Sequence, residues 1–133
     1  MSKPILVDTS VWIDYLKGEI DHRTDYLYNH LSHDFPVLIC PIILQELLQG
    51  IRTDVEYRRV KSILLSYTML EIDPVGAAIG AANLYRSLQK KGITIRKSND
   101  CLIAYFAITH SVPLLHNDKD YDLISTGSSL ITI

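Results

Sequence analysis

The sequence predicts an α/β domain built on a mostly parallel sheet, and three observations predict it. Short apolar runs at Ile5-Leu6-Val7, Val37-Leu38-Ile39 and residues 112–115 are too brief for helices and suit buried parallel strands. Longer stretches with helical spacing separate them, the alternation that makes parallel crossovers. Two of the runs lead into cap and turn formers, Asp8-Thr9-Ser10 and Asn117-Asp118-Lys119-Asp120, where open α/β sheets place their ligands.

The first strand stops at Asp8. Val11, Trp12, Tyr15 and Leu16 then recur at helical spacing, and Gly18 reads as a C-cap. A second helix is expected over 21–32, anchored by Tyr26, Leu27 and Leu31. After the second strand, Pro41 suits the first turn of a third helix, which Gly50 ends. Its expected core face is Leu44, Leu47, Leu48 and Ile51. Residues 54–66 continue as a helix carrying Arg58, Arg59 and Lys61, and residues 67–72 read as a third strand closed by Asp73-Pro74. The longest helix, over 75–91, is rich in alanine and glycine, so a neighbouring backbone can approach closely, within the domain or across a dimer contact. Gly92 stops it. Ser98-Asn99-Asp100 caps a helix with Leu102, Ile103, Phe106 and Ala107 inward. The fourth strand, 112–115, turns into a short helix near 121–124, and residues 130–133 supply a last β segment. Right-handed crossovers put helices on both faces of the sheet.

A chain of 133 residues is expected to form one domain, 1–133, with a core that needs no staples. Hydrophobic content of 47% and charged content of 21% describe an ordinary soluble globule. Cys40 and Cys101 lie in apolar segments without zinc-type spacing and read as buried thiols of a reducing, cytoplasmic compartment. The lead at residues 1–3 runs straight into a strand, and no apolar run approaches the ~20 residues that span a bilayer, so neither export signal nor membrane is expected. A net charge of −2 argues against coating nucleic acid over the whole surface, though not against a local basic patch.

The acids carry the chemistry. Asp8, Asp100 and Asp118 each suit a helix cap or first turn when taken alone. Glu46 lies almost opposite Leu44, Leu47 and Leu48, so periodicity makes it a solvated face residue. Taken together, acids that follow strands one and four, with one at the start of the helix between, converge if those strands are neighbours. Crowded carboxylates repel unless a cation neutralises them, and a hard Mg²⁺ or Mn²⁺ is the natural occupant.

Four segments carry the acids in order: Val7-Asp8-Thr9-Ser10, Leu44-Gln45-Glu46-Leu47-Leu48-Gln49-Gly50, Asn99-Asp100-Cys101-Leu102-Ile103-Ala104, and Leu114-Leu115-His116-Asn117-Asp118-Lys119-Asp120-Tyr121. Together they resemble the PIN-domain family, in particular its VapC-type toxins. The resemblance runs from about Ile5 to Ile124. It implies a three-layer α/β/α sandwich around a mostly parallel five-stranded sheet. It further implies a Mg²⁺- or Mn²⁺-dependent endoribonuclease, the toxin of a toxin–antitoxin pair, usually a homodimer restrained by a VapB-like antitoxin. Its catalytic and metal-binding quartet maps to Asp8, Glu46, Asp100 and Asp118, and the resemblance alone moves Glu46 from exposed to catalytic. Asp120 is a rival for the fourth acid. His116 stands where family members commonly carry threonine, and either hydrogen-bonds in the cleft or contacts phosphate. Ser10 either bonds an acid or a metal-bound water, or only starts its helix.

In such a reaction Asp8 and Asp100 would bind metal directly, with Glu46 and Asp118 completing the site. Arg86, Lys90, Lys91, Arg96 and Lys97 crowd the region before Asp100 and offer contacts to RNA phosphates, or a plain solvated helix surface. Trp12 and Tyr15 read as core or antitoxin-facing. His30 and His33 lack a third partner for zinc. Two other readings remain at this stage. A haloacid-dehalogenase-like phosphatase also ends its first strand on Asp but wants a second Asp at the position of Ser10. A non-enzymatic module, of PIN or von Willebrand A type, would hold metal through Asp8 and Ser10, with Trp12 replacing its second serine.

Overall fold

The computed structural model describes residues 3–133. The expectation of no export signal falls partly on residues 1–2, outside the described residues. The element order is β1 (Ile5–Val7), α1 (Thr9–Leu16), α2 (His22–Ser32), β2 (Val37–Ile39), α3 (Pro41–Gln49), α4 (Asp54–Leu65), β3 (Thr68–Met69), α5 (Pro74–Lys90), α6 (Ser98–Thr109), β4 (Leu114–Leu115) and α7 (Lys119–Thr126). The alternation expected from the sequence is present. No helix among the described residues is long and apolar enough to cross a membrane.

All pairings are parallel, in the order β3-β2-β1-β4. Both of the first two strands are completely buried, as their uninterrupted apolar runs require. The chain moves outward from β1 through β2 to β3, then returns to place β4 on the other side of β1. That reversal lies between β1 and β4, so the crevice at their carboxyl ends is the topological switch point. Asp8 is the first residue past β1, and its amide still donates to Leu115 of β4 at 2.9 Å.

Two β expectations need correction. The third strand is Thr68–Met69 rather than 67–72, because β2 offers it a short edge before Pro41 turns the chain into α3. The last segment makes one parallel bridge, Leu114 with Thr132, so four strands replace the expected five. β4 is two residues long before the chain turns toward α7, and that leaves little edge for the chain end to join.

Helix faces differ in two places. On α3 the fully buried residues are Ile43 and Leu47, while Leu44 and Leu48, and Ile51 just past the helix, pack partly buried against the core. On α2 they are Thr24, Leu27 and His30, with Tyr26 left at the surface. Thr24 closes a capping box with Asp21, and His30 packs between the rings of Tyr26 and Phe35. Trp12 joins the core, stacked on Tyr67 at 5.7 Å between ring centroids. Cys40 and Cys101 are buried free thiols, which burial pushes up to about 12 and about 11.

Candidate active site

Three turns build the site. Asp8 caps α1: its Oδ2 accepts from the Ser10 amide at 3.0 Å and from Ser10 Oγ at 2.6 Å. Ser10 Oγ in turn accepts from the Asn117 amide at 2.9 Å. One hydroxyl therefore stitches the β1–α1 turn to the β4–α7 turn across the switch point. Asp118 caps α7 through the Asp120 amide, and Asp100 lies in the first turn of α6. The cap readings of these acids hold, and they also aim the carboxylates at one place.

Tyr121, on α7, closes the back of the site. Its hydroxyl lies 2.8 Å from Asp8 Oδ1 and 3.3 Å from Asp100 Oδ1, with all three residues buried. The two acids expected to meet, 92 positions apart, share one phenol. Tyr121 was not among the residues that sequence reasoning selected; an aromatic on an amphipathic helix reads as core, which its ring is. Burial, then the Asp8 charge, drives its phenol far above the usual tyrosine range, so it stays a neutral donor.

Asp100, Asp118 and Asp120 each bring a carboxylate oxygen to within 4.8 Å of the other two. Oxygens about 2.1 Å from one octahedral ion stand ~3–4 Å apart, so this set needs only slight closure to hold one. Asp100 Oδ2 and Asp120 Oδ2 are buried and accept no hydrogen bond. Buried carboxylate oxygens are costly to leave in that state, and a hard cation satisfies them. The residues present fit a divalent metal. Asp120, ranked behind Asp118 from the sequence, stands beside it in this group.

Asp8 and Glu46 lie outside that three-acid group. Glu46 is half-buried and accepts from Thr9 Oγ1 at 2.7 Å, which fixes it beside the Asp8 turn rather than in solvent. Periodicity misplaced it, since on α3 it flanks the buried pair Ile43 and Leu47 at about 80° instead of opposing it.

Burial pushes the Asp100 carboxyl up to about 6; Lys97 opposes this, while Asp118 and Asp8 add to it. Burial acts the same way on Asp118, but the Lys97 hydrogen bond and the Asp120 amide overrule it and hold it below the usual range. Lys97 Nζ is 2.6 Å from Asp118 Oδ2 and 3.8 Å from Asp100 Oδ2, and Arg96 Nε is 3.6 Å from Asp120 Oδ2. Of the basic residues expected near RNA, these two reach the acids. Lys91 instead donates to the carbonyl of Gly127, just past α7, and Arg86 lines an apolar cavity between α5 and α6 with Ser98 and Asn99.

His116 is buried behind the site. Its Nδ1 accepts from the Asp118 amide at 3.1 Å, so Nε2 carries the proton toward Asp122 Oδ1 at 3.3 Å. Its carbonyl accepts from Arg23 Nε at 2.7 Å, and its ring lies 5.2 Å from that of Tyr121. Desolvation keeps the imidazole below its usual range and neutral. The ring holds the turn that carries Asp118.

The sequence model of the PIN domain family matches residues 5–126. The chain belongs to that family. This PIN domain is 31% identical over 127 residues, 95% of each chain, to VapC ribonuclease Mb1587 of Mycobacterium bovis and to ribonuclease VapC11 of Mycobacterium tuberculosis. Its fold is similar to VapBC2 from Rickettsia felis, solved with a DNA fragment from its promoter, at 20% identity, TM-score 0.72 and 98% of both chains. It is equally similar to VapBC-1 from nontypeable Haemophilus influenzae, at 19% identity, TM-score 0.74 and 98% and 97% of the two chains.

Proposed function

We infer that this PIN domain is a metal-dependent endoribonuclease that acts as the toxin of a toxin–antitoxin pair in the cytoplasm. The observation that carries the chemistry is the pair of buried, unsatisfied oxygens on Asp100 and Asp120, two of three acids that gather with Asp118. The ribonuclease assignment rests on the VapC relatives, and the toxin assignment on the resemblance of the four acid-bearing segments to VapC-type toxins. In this reading Asp100, Asp118 and Asp120 hold Mg²⁺ or Mn²⁺, and Asp8 and Glu46 complete the acidic pocket. An ion held there would activate water for attack on a phosphodiester and supply charge to stabilise the transition state. The chain's own part is to keep the acids in register. Ser10 and Tyr121 fix Asp8, Thr9 fixes Glu46, and His116 fixes the Asp118 turn.

RNA is the substrate, with Arg96 and Lys97 nearest the acids and Arg86 and Lys91 earlier in the chain and not paired with them. A VapB-like antitoxin and a second copy of the chain are the partners. The phosphatase reading finds no support, because Ser10 stands where the second acid would and its hydroxyl donates to Asp8. The adhesion-module reading fails at Trp12, which is buried and stacked.

Two measurements test the enzyme. Mn²⁺ added to EDTA-treated protein is expected to raise the melting temperature, since only the folded state gathers the three acids. Asp100→Asn is expected to stay folded and lose at least ~100-fold of RNA cleavage, as loss of a metal-dependent step demands. A melting curve indifferent to metal, together with cleavage that survives EDTA, would overturn the reading.

A further inference from the structure

We propose that Lys97 is a built-in counter-cation of the acidic site, seated where a divalent ion binds and released to the cleft mouth when the ion arrives. The inference rests on the metal-dependent reading above and adds a competitor to it. Its ammonium lies 2.6 Å from Asp118 Oδ2 and 3.8 Å from Asp100 Oδ2, so it serves two of the three acids that would share an ion. An ion drawing both oxygens to itself and an ammonium bonded to one of them and 3.8 Å from the other compete for the same space, because like charges repel most at short range.

The position of Lys97 in its helix is a second, independent sign. It is the N-cap of α6 and makes no side-chain cap hydrogen bond. Lysine is a poor choice there: it has no acceptor for the free amides, and its charge opposes the positive end of the helix dipole. The local cost is offset by what the side chain reaches across the turn, 21 residues away in sequence. The side chain is also 58% exposed, so it can leave the acids for water without unpacking anything. Arg96 repeats the arrangement more weakly, at 3.6 Å from the orphaned oxygen of Asp120 and 77% exposed. Neither cation hydrogen-bonds the orphaned oxygens of Asp100 and Asp120, which leaves those two open to a ligand.

Once released, the ammonium stands beside the metal site at the end of a long flexible stem, where an RNA phosphate held near the ion would meet it. Lys97 would thus count against the metal before loading and for the substrate afterwards.

Titration calorimetry with Mn²⁺ alone, on the whole chain and on Lys97→Met, tests this. The variant is expected to bind Mn²⁺ at least tenfold more tightly, and to melt lower than the parent in EDTA because its acids repel unscreened. Cleavage assays are expected to split in the same variant: the Mn²⁺ concentration for half-maximal rate falls, while KM for RNA rises. A purely structural lysine would worsen both. Should Lys97→Met fail to fold, the unmodified chain still decides the matter by NMR. Titration with Mg²⁺ is expected to move the Lys97 Nζ resonance from a hydrogen-bonded to a water-exposed position. Equal or weaker Mn²⁺ binding by the variant, or an Nζ resonance unmoved at saturating Mg²⁺, overturns the role of Lys97 and leaves the metal site standing. No Mn²⁺ binding by either protein overturns the metal reading and the proposal with it.

Discussion

Tyr121 has one proton to share between two carboxylates, and that shortage defines the chemistry behind the site. The shorter contact, to Asp8, takes the larger share of the proton; the longer one, to Asp100, accepts from the same hydroxyl more weakly, beside a carboxyl whose protonation burial favours. When Asp100 is protonated it donates to the phenol, and both contacts carry a hydrogen. When a cation neutralises Asp100 from the other side, the phenol serves Asp8 alone. Tyr121→Phe should therefore leave the ring packing intact and strip Asp8 Oδ1 of its donor. The expected cost is about 1–3 kcal/mol in stability, the penalty for a buried acceptor left unpaired. Cleavage should fall ~10–100-fold, as when groups that orient metal-site acids are lost. Chemical denaturation and initial rates on one RNA would check the two together, and a variant with parental rate would remove Tyr121 from the site. Asp8, Asp100 and Asp118 could be nominated from their place after strands or at helix starts. The phenol that joins two of them could not, because its tip acts 113 residues from Asp8 in sequence.

The α5–α6 pair shows what a helix full of small residues is for. A Cβ placed on Gly80 would lie 2.0 Å from Cζ of Tyr105, so the Tyr105 ring of α6 can lie against α5 as it does only while position 80 has no side chain. Close approach was legible in the alanine and glycine content of α5, and the partner turned out to lie within the same chain. Gly80→Ala should destabilise by ~1–3 kcal/mol through overpacking. That outweighs the ~1 kcal/mol which alanine gains over glycine in a helix. Gly76→Ala is the control: its Cβ would meet only the Asp73 side chain, nearest at Oδ2 3.4 Å away, and urea midpoints should show little or no loss. Other elements were less legible. On α3 apolar residues at 42, 43, 44, 47 and 48 wrap around much of the helix, so spacing alone cannot choose which of them faces the sheet. Strand ends were overestimated for a related reason. Apolar runs report burial, whereas a strand ends where its neighbour's edge ends.

Across the molecule, the acidic crevice places a strain on folding that pH can reveal. Asp100 titrates near 6 when folded and near 3.8 when unfolded, so the folded state binds its proton more tightly. Stability from this group is present below about pH 4, falls as pH rises through 6, and stays lost above. The difference of about 2 units corresponds to ~3 kcal/mol at most, before relaxation and water penetration reduce it. His116 runs the other way. Its imidazole is held below the ordinary range by burial, so acid below about 6.5 favours the unfolded chain and masks part of the trend. Asp100→Asn isolates the effect. In EDTA at pH 7.5 the variant should melt several degrees above the parent, and the gap should close by about pH 4. With Mn²⁺ present, the gain should pass to the parent instead.

Composition, apolar runs and cap residues sufficed for an alternating α/β chain whose acids stand at the carboxyl end of β1, after β4 and at the start of α6. Those features are local: a buried strand must be apolar, and a turn leaving it must satisfy free amides. Which acids can share an ion was settled only by folding. The order β3-β2-β1-β4 sets Asp8 beside the β4–α7 turn, and the meeting of α6 with α7 brings Asp100, Asp118 and Asp120 to within 4.8 Å. A distance between side chains twenty or a hundred residues apart depends on how whole elements pack, and no local pattern encodes it.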